Sequence, residues 1–99
     1  MRIIARKTLV DFWKSPGRKG SEEHLKCWFS EAENAIWKKP TDVKKQYRSA
    51  SILKNKRVVF NIKGNKYRLV VAIRYDIGIV FIRFIGTHKE YDNIDPEVI

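Results

Sequence analysis

Arg57-Val58-Val59-Phe60-Asn61-Ile62-Lys63-Gly64-Asn65-Lys66-Tyr67-Arg68-Leu69-Val70-Val71-Ala72-Ile73-Arg74-Tyr75 is the stretch that decides the fold. β-Branched and aromatic residues fill two runs, Arg57 to Lys63 and Lys66 to Tyr75, on either side of Gly64-Asn65. Such runs around a tight glycine turn predict an antiparallel hairpin with Gly64 at positive φ. Asp76-Ile77-Gly78 predicts a second hairpin loop, of three residues, leading into a strand from Ile79 to Gly86.

Register follows from those loop lengths. Asn61 then faces Arg68, Val59 faces Val70 and Arg57 faces Ala72; across the second loop, Arg68 faces Gly86 and Lys66 faces His88. Side chains alternate across a sheet. One face is therefore expected to carry Val58, Phe60, Ile62, Tyr67, Leu69, Val71, Ile73, Phe81 and Ile85, with Arg83 also on the helix side. The other carries Asn61, Lys63, Lys66, Arg68 and His88 at one end, and Val59, Val70, Ile82 and Phe84 at the other. The polar groups converge at one end of the open face.

Upstream, the pattern changes period. Arg2 to Ala5 is a short β-prone run that would join the same sheet. Thr8 reads as an N-cap, with Leu9, Phe12 and Trp13 at helical spacing before Ser15-Pro16-Gly17. From Ser21, Leu25, Trp28, Phe29, Ala32, Ala35 and Ile36 recur every three or four residues, predicting a longer helix stopped by Pro40. Thr41-Asp42 caps a short helix to about Tyr47, and Arg48 to Lys56 reads as a loop. The expected fold is α+β: an N-terminal strand and helices packed on one face of an antiparallel meander, in one domain spanning residues 1–99.

The chain carries 21 Lys and Arg against 11 Asp and Glu, a formal charge of +10. Such a field concentrates polyanions at the surface, so nucleic acid is the expected partner. An apolar run of about 18 residues or an isolated basic amphipathic helix is missing, which points away from membranes. Cys27 is the single cysteine, leaving no intrachain disulfide, and the two histidines lie far apart with no ligand-spaced cluster, so no metal or cofactor is expected. The first residues lack the apolar core of a signal peptide, and a cytoplasmic location is expected.

Chemistry concentrates in Gly86-Thr87-His88-Lys89-Glu90-Tyr91-Asp92 at the end of the last strand. Arg68 is suited to a bidentate phosphate clamp, the alternative being an ion pair with Glu90 or Asp92. An imidazole titrating near neutrality suits His88 to proton transfer, and Glu90 is a second candidate base. Tyr91 either orients a nucleotide or packs the chain end onto the sheet. Lys54, Lys56, Arg57, Asn61, Lys63, Lys66 and Lys89 form a fringe expected to steer a nucleic-acid backbone. His24 stands apart from this group and is expected to be solvent-exposed. Trp13, Trp28, Phe29 and Trp37 fit core or partner contacts.

Three segments in order carry a family likeness: Asn61-Ile62-Lys63-Gly64-Asn65, Tyr67-Arg68-Leu69-Val70 and Thr87-His88-Lys89-Glu90-Tyr91-Asp92. They resemble HigB-type toxins within the RelE-like group of toxin–antitoxin ribonucleases, with weaker likeness at Lys39-Pro40 and Ile3-Ile4. The resemblance implies a RelE-like fold and a metal-independent endoribonuclease that cuts mRNA on the translating ribosome. It also implies a HigA-type helix-turn-helix antitoxin and operator DNA bound through the complex of the two. Arg68 matches the sheet arginine that holds the scissile phosphate. His88 falls where relatives place an arginine or a histidine, and Tyr91 near their C-terminal tyrosine. Because the chain ends soon after Asp92, a longer C-terminal helix is not expected. The competing expectation, from charge alone, is a non-catalytic basic module that binds RNA or DNA.

Overall fold

The structure is a computed structural model that describes residues 1–99. Its elements are β1 (Arg2–Ile4), α1 (Arg6–Lys14), α2 (Glu22–Asn34), α3 (Pro40–Gln46), β2 (Ser51–Ile52), β3 (Arg57–Ile62), β4 (Tyr67–Arg74), β5 (Ile79–Thr87) and α4 (His88–Tyr91). The five strands form one sheet in the order β1-β5-β4-β3-β2. All pairings are antiparallel except that of β1, which lies parallel to β5 at the sheet edge.

Leu9, Phe12 and Trp13 of α1 and Leu25, Trp28 and Ala32 of α2 pack against Val58, Phe60, Ile62, Tyr67, Leu69, Val71 and Ile73 on one sheet face. Burying each large apolar side chain contributes about 1.5–3 kcal/mol, so this face holds the helices to the sheet. Edge-on aromatic contacts join the layers, Phe12 to Tyr67 at 5.4 Å and Trp28 to Phe60 at 5.3 Å between centroids. The α+β architecture expected from the sequence is the one observed.

Local differences have local causes. α1 begins at Arg6 rather than after Thr8, and its N-cap, Ala5, makes no side-chain cap. α2 stops at Asn34, which leaves Ile36 77% exposed while Trp37 enters the core instead. Pro40 does not terminate α2; it occupies the first turn of α3, where its missing N–H has no helical partner to lose. Within the expected loop, Ser51-Ile52 pairs with Val59-Val58 as an edge hairpin. Asn55 and Lys56 make its turn at φ 58° and 60°, the two left-handed positions of a primed turn.

The β3–β4 register is the expected one, with Asn61 opposite Arg68, Val59 opposite Val70 and Arg57 opposite Ala72. Gly64 has φ 65° as its turn requires. The β4–β5 pairing departs and then recovers. Arg74 pairs with Ile79, so the second loop is one residue longer than expected, and a bulge at Arg83 restores Val70 opposite Phe84 and Arg68 opposite Gly86. Between loop and bulge the faces are exchanged relative to the expectation. Val80 is fully buried and Ile82 packs against the core, whereas Phe81 sits opposite Ala72 on the other face. Arg83, expected on the helix side, is exposed at the bulge with its guanidinium 5.6 Å from the Phe81 ring.

Val59, Val70 and Ala72 are buried although they face away from the helices. The segment after α4 lies against this side of the sheet. Glu97 accepts from the Lys54 backbone N–H at 3.2 Å and from the Asn55 amide at 3.0 Å. The Arg57 guanidinium donates to the Ile99 carbonyl at 2.9 and 2.6 Å.

Candidate functional site

Arg68 projects from the open face of β4, half-buried, between Asn61 on β3 and Gly86 on β5. Its Nη1 donates to the Asn65 carbonyl at 3.1 Å, an anchor within its own hairpin. Neither carboxylate that could have neutralised it does so. Glu90 pairs with Arg18 and Asp92 with His88. The guanidinium thus keeps its charge uncompensated at the centre of a row that crosses three strands, and an oxyanion is the natural complement of such a group.

α4 supplies the rest. It starts where β5 ends, because Thr87-His88-Lys89-Glu90 is a capping box. Glu90 N donates to Thr87 Oγ1 at 3.2 Å, and Thr87 N donates to Glu90 Oε1 at 2.8 Å. This one-turn helix turns His88 and Tyr91 out of the sheet ladder, so Lys66 and His88 do not pair as strand residues. The last rung joins Tyr67 to Thr87.

His88 is exposed, and its Nδ1 lies 3.3 Å from Asp92 Oδ2 one turn later. A carboxylate at one ring nitrogen fixes ring orientation and leaves Nε2 facing outward. Tyr91 is half-buried beside it, and Lys89 is exposed on the same turn.

Glu90 is the most constrained of the group. Its Oε1 takes the Thr87 N–H and its Oε2 takes Arg18 Nη2 at 2.7 Å. The Thr87 backbone N–H first, and then Arg18, hold its carboxyl below the ordinary Glu range. Arg18 was not singled out in the sequence. It stands 72 residues from Glu90, with its guanidinium 4.8 Å from the Phe12 ring centroid, and it ties α4 to the loop before α2. Separation of that size leaves no local signal; the Thr-x-x-Glu box, by contrast, was there to be read.

The expected basic fringe divides. Asn61, Lys63, Lys66 and Lys89 lie at the Arg68 end, with Asn61 Nδ2 donating to the Ser49 carbonyl at 3.3 Å and Lys66 Nζ 5.6 Å from the Tyr67 ring. Lys54, Lys56 and Arg57 lie at the opposite end of β3, where Arg57 is held by the C-terminal segment. Four residues of strand separate Arg57 from Asn61, about 13 Å. His, Cys, Asp and Glu side chains nowhere gather in a group of three able to hold a metal ion. No helix is long and apolar enough to cross a membrane.

Residues 21–94 match the family described as HigB_toxin, RelE-like toxic component of a toxin–antitoxin system. The chain is 31% identical over 94 residues to the mRNA interferase toxin HigB of Escherichia coli (strain K12), covering 93% of this chain and 88% of that protein. The same figures hold for the mRNA interferase HigB of Escherichia coli O157:H7 and of Shigella flexneri. With three quarters of its length inside the family match and relatives aligned nearly end to end, the chain belongs to the HigB family of RelE-like toxins.

Proposed function

We propose that this HigB-family toxin cuts mRNA by attack of a ribose 2′-hydroxyl on the adjacent phosphorus. As a family member it is an mRNA interferase, an endoribonuclease that works against a cognate antitoxin. The observation that carries the mechanism is the uncompensated Arg68 guanidinium on the strand beside the one that leads into His88.

In this reading Arg68 binds the non-bridging oxygens of the scissile phosphate and stabilises the charge that grows on them. His88 Nε2 takes the 2′-proton while Asp92 holds the ring at Nδ1. The 2′-oxygen–phosphorus bond forms and the bond from phosphorus to the 5′-oxygen breaks. The products are a 2′,3′-cyclic phosphate and a 5′-hydroxyl, whose proton comes from Tyr91 or from water. Lys63, Lys66 and Lys89 steer the backbone. Glu90, whose two oxygens are already engaged, acts by holding α4 in place.

The residues form no enclosed cleft able to force RNA into in-line geometry, which supports the translating ribosome as the surface that supplies it. The reaction needs no metal in this scheme. A helix-turn-helix antitoxin, operator DNA bound through the toxin–antitoxin complex and a cytoplasmic location complete the proposal.

The test compares wild type, Arg68→Ala and His88→Ala in a translating extract, with 5′ ends of cut message read by sequencing. Each variant is expected to lose about 100-fold or more of cutting while keeping the wild-type circular dichroism spectrum. Equal cutting by all three overturns the assignments. Growth arrest that persists in folded His88→Ala cells without cut message favours a non-catalytic RNA-binding module instead.

A further inference from the structure

β2 pairs with β3 only at Val58 and Val59, so the edge of β3 beyond them is uncovered. A pocket of about 140 Å³ opens there against α2. His24, Cys27, Trp28 and Glu31 form the α2 wall, and Asn61 and Lys63 form the sheet wall. His24, Cys27 and Glu31 are exposed and recur one turn apart along one helix face. Trp28 is 2% exposed, and its indole Nε1–H has no hydrogen-bond partner. That atom is closed to solvent, so Trp28 contributes its ring to the pocket wall and not a donor.

We infer that this pocket is a nucleobase subsite for the nucleotide flanking the scissile phosphate. The inference rests on the RNA-cutting reading given above and extends it to sequence preference. Asn61 is the cross-strand partner of Arg68, and paired residues lie about 5 Å apart. The pocket therefore begins one strand over from the phosphate-binding guanidinium, within reach of an adjoining nucleotide.

The chemistry of the walls selects a base over other ligands. Imidazole, thiol, amide and ammonium groups offer donors, while Glu31 offers an acceptor. One Glu31 oxygen takes the Tyr47 hydroxyl, and the other accepts no hydrogen bond. A phosphate presents acceptors alone and is repelled by that carboxylate. A metal ion is repelled by the Lys63 ammonium. A heterocycle carrying donors and acceptors on one edge meets both, and the Tyr47 ring supplies an aromatic surface for it to stack on.

Cys27 is the single cysteine and is exposed, so the pocket can be filled by chemistry at one atom. The protein is alkylated with N-ethylmaleimide, single modification is verified by mass, and cut sites are mapped in a translating extract. Treated and untreated wild type are compared, with treated and untreated Cys27→Ser as the control for other effects of the reagent. The expected result is a fall of at least about tenfold at the preferred sites, or loss of base preference at one position beside the cut, in wild type only. His24→Ala is expected to broaden preference at that same position. Identical sites and rates before and after alkylation overturn the subsite and leave the nuclease reading standing. Absence of cutting by untreated wild type overturns both. Normal cutting by Arg68→Ala and His88→Ala removes the catalytic assignment, while the alkylation comparison still decides the pocket.

Discussion

Replacing Glu90 with Gln separates a carboxylate that moves protons from one that holds a helix. Gln keeps a side-chain carbonyl three residues after Thr87, so the capping box survives. What disappears is the charge opposite Arg18, 2.7 Å away in a pair whose side chains are 30% and 42% exposed. Ion pairs at such exposure contribute about 0–1 kcal/mol, which corresponds to at most about a fivefold change in the population of correctly placed α4. Glu90→Gln should therefore cut message within about fivefold of wild type, and Arg18→Ala should match it.

Glu90→Ala also loses the reciprocal half of the capping box, the Thr87 N–H bond to Oε1, while the Thr87 hydroxyl still caps the helix. A hydrogen bond of that kind contributes about 0.5–1.5 kcal/mol, so with the ion pair the total approaches about 2 kcal/mol, concentrated on a four-residue helix. That variant should fall about 5- to 30-fold in cutting while its melting temperature barely moves, since α4 adds nothing to the main core. The assay is the initial rate of message cleavage in a translating extract, beside thermal melts of each protein. A loss of 100-fold or more in Glu90→Gln, with the melt unchanged, refutes the positioning role and places the carboxylate in proton transfer.

Leu69 is fully buried between sheet and helices, so Leu69→Ala should cost about 2–5 kcal/mol in urea unfolding, a large part of a total of about 5–15. Acid should loosen α4 selectively: the Glu90 carboxyl lies below its ordinary value, so its contribution is complete above the unfolded Glu range, about pH 4.3, and disappears as pH falls through the lower folded value. The Thr87 amide proton resonance followed from pH 6 downward should report that loss in wild type and not in Glu90→Gln. A Cβ on Gly86 would stand 2.5 Å from the Phe84 ring and 3.0 Å from Glu90 Oε1, so Gly86→Ala should destabilise by about 1–3 kcal/mol and impair cutting. Adding Phe84→Leu removes the nearer obstacle and should recover stability in a thermal melt.

The hairpin and its apolar alternation were legible because both depend on neighbours in sequence. Asn61 opposite Arg68 follows from Gly64-Asn65 alone. The helical faces were legible for the same reason, as far as Ala32; Ile36 continued the period on paper but fell past the end of α2. What could not be read was tertiary. Nothing near Arg18 announces Glu90, and nothing in Arg57 announces that Ile99 will take its guanidinium, which removes one expected RNA contact from the free surface. His24 looked isolated along the chain, yet folding sets it beside β3, because the helix period brings Cys27 and Glu31 onto its face and the sheet edge stops short of covering them.

The pairing of Arg68 with Gly86 shows how the site depends on a feature no turn rule contains. A β4–β5 hairpin started from Arg74 and Ile79 and continued without irregularity would set Arg68 opposite Ile85. Thr87 would then fall one rung out of step, and the side chains of the last strand residues would exchange faces. The extra residue at Arg83 cancels that shift before the strand reaches its end. Bulges accentuate twist and re-aim the side chains beyond them, and here what lies beyond is Gly86, the capping threonine and the histidine. Glycine opposite the arginine also admits the Phe84 ring and the Glu90 carboxylate, which stand 2.5 and 3.0 Å from where a Cβ would be. The exposed Arg83, outside the core, thereby sets the register from which, in the proposed mechanism, guanidinium and imidazole meet the same phosphate.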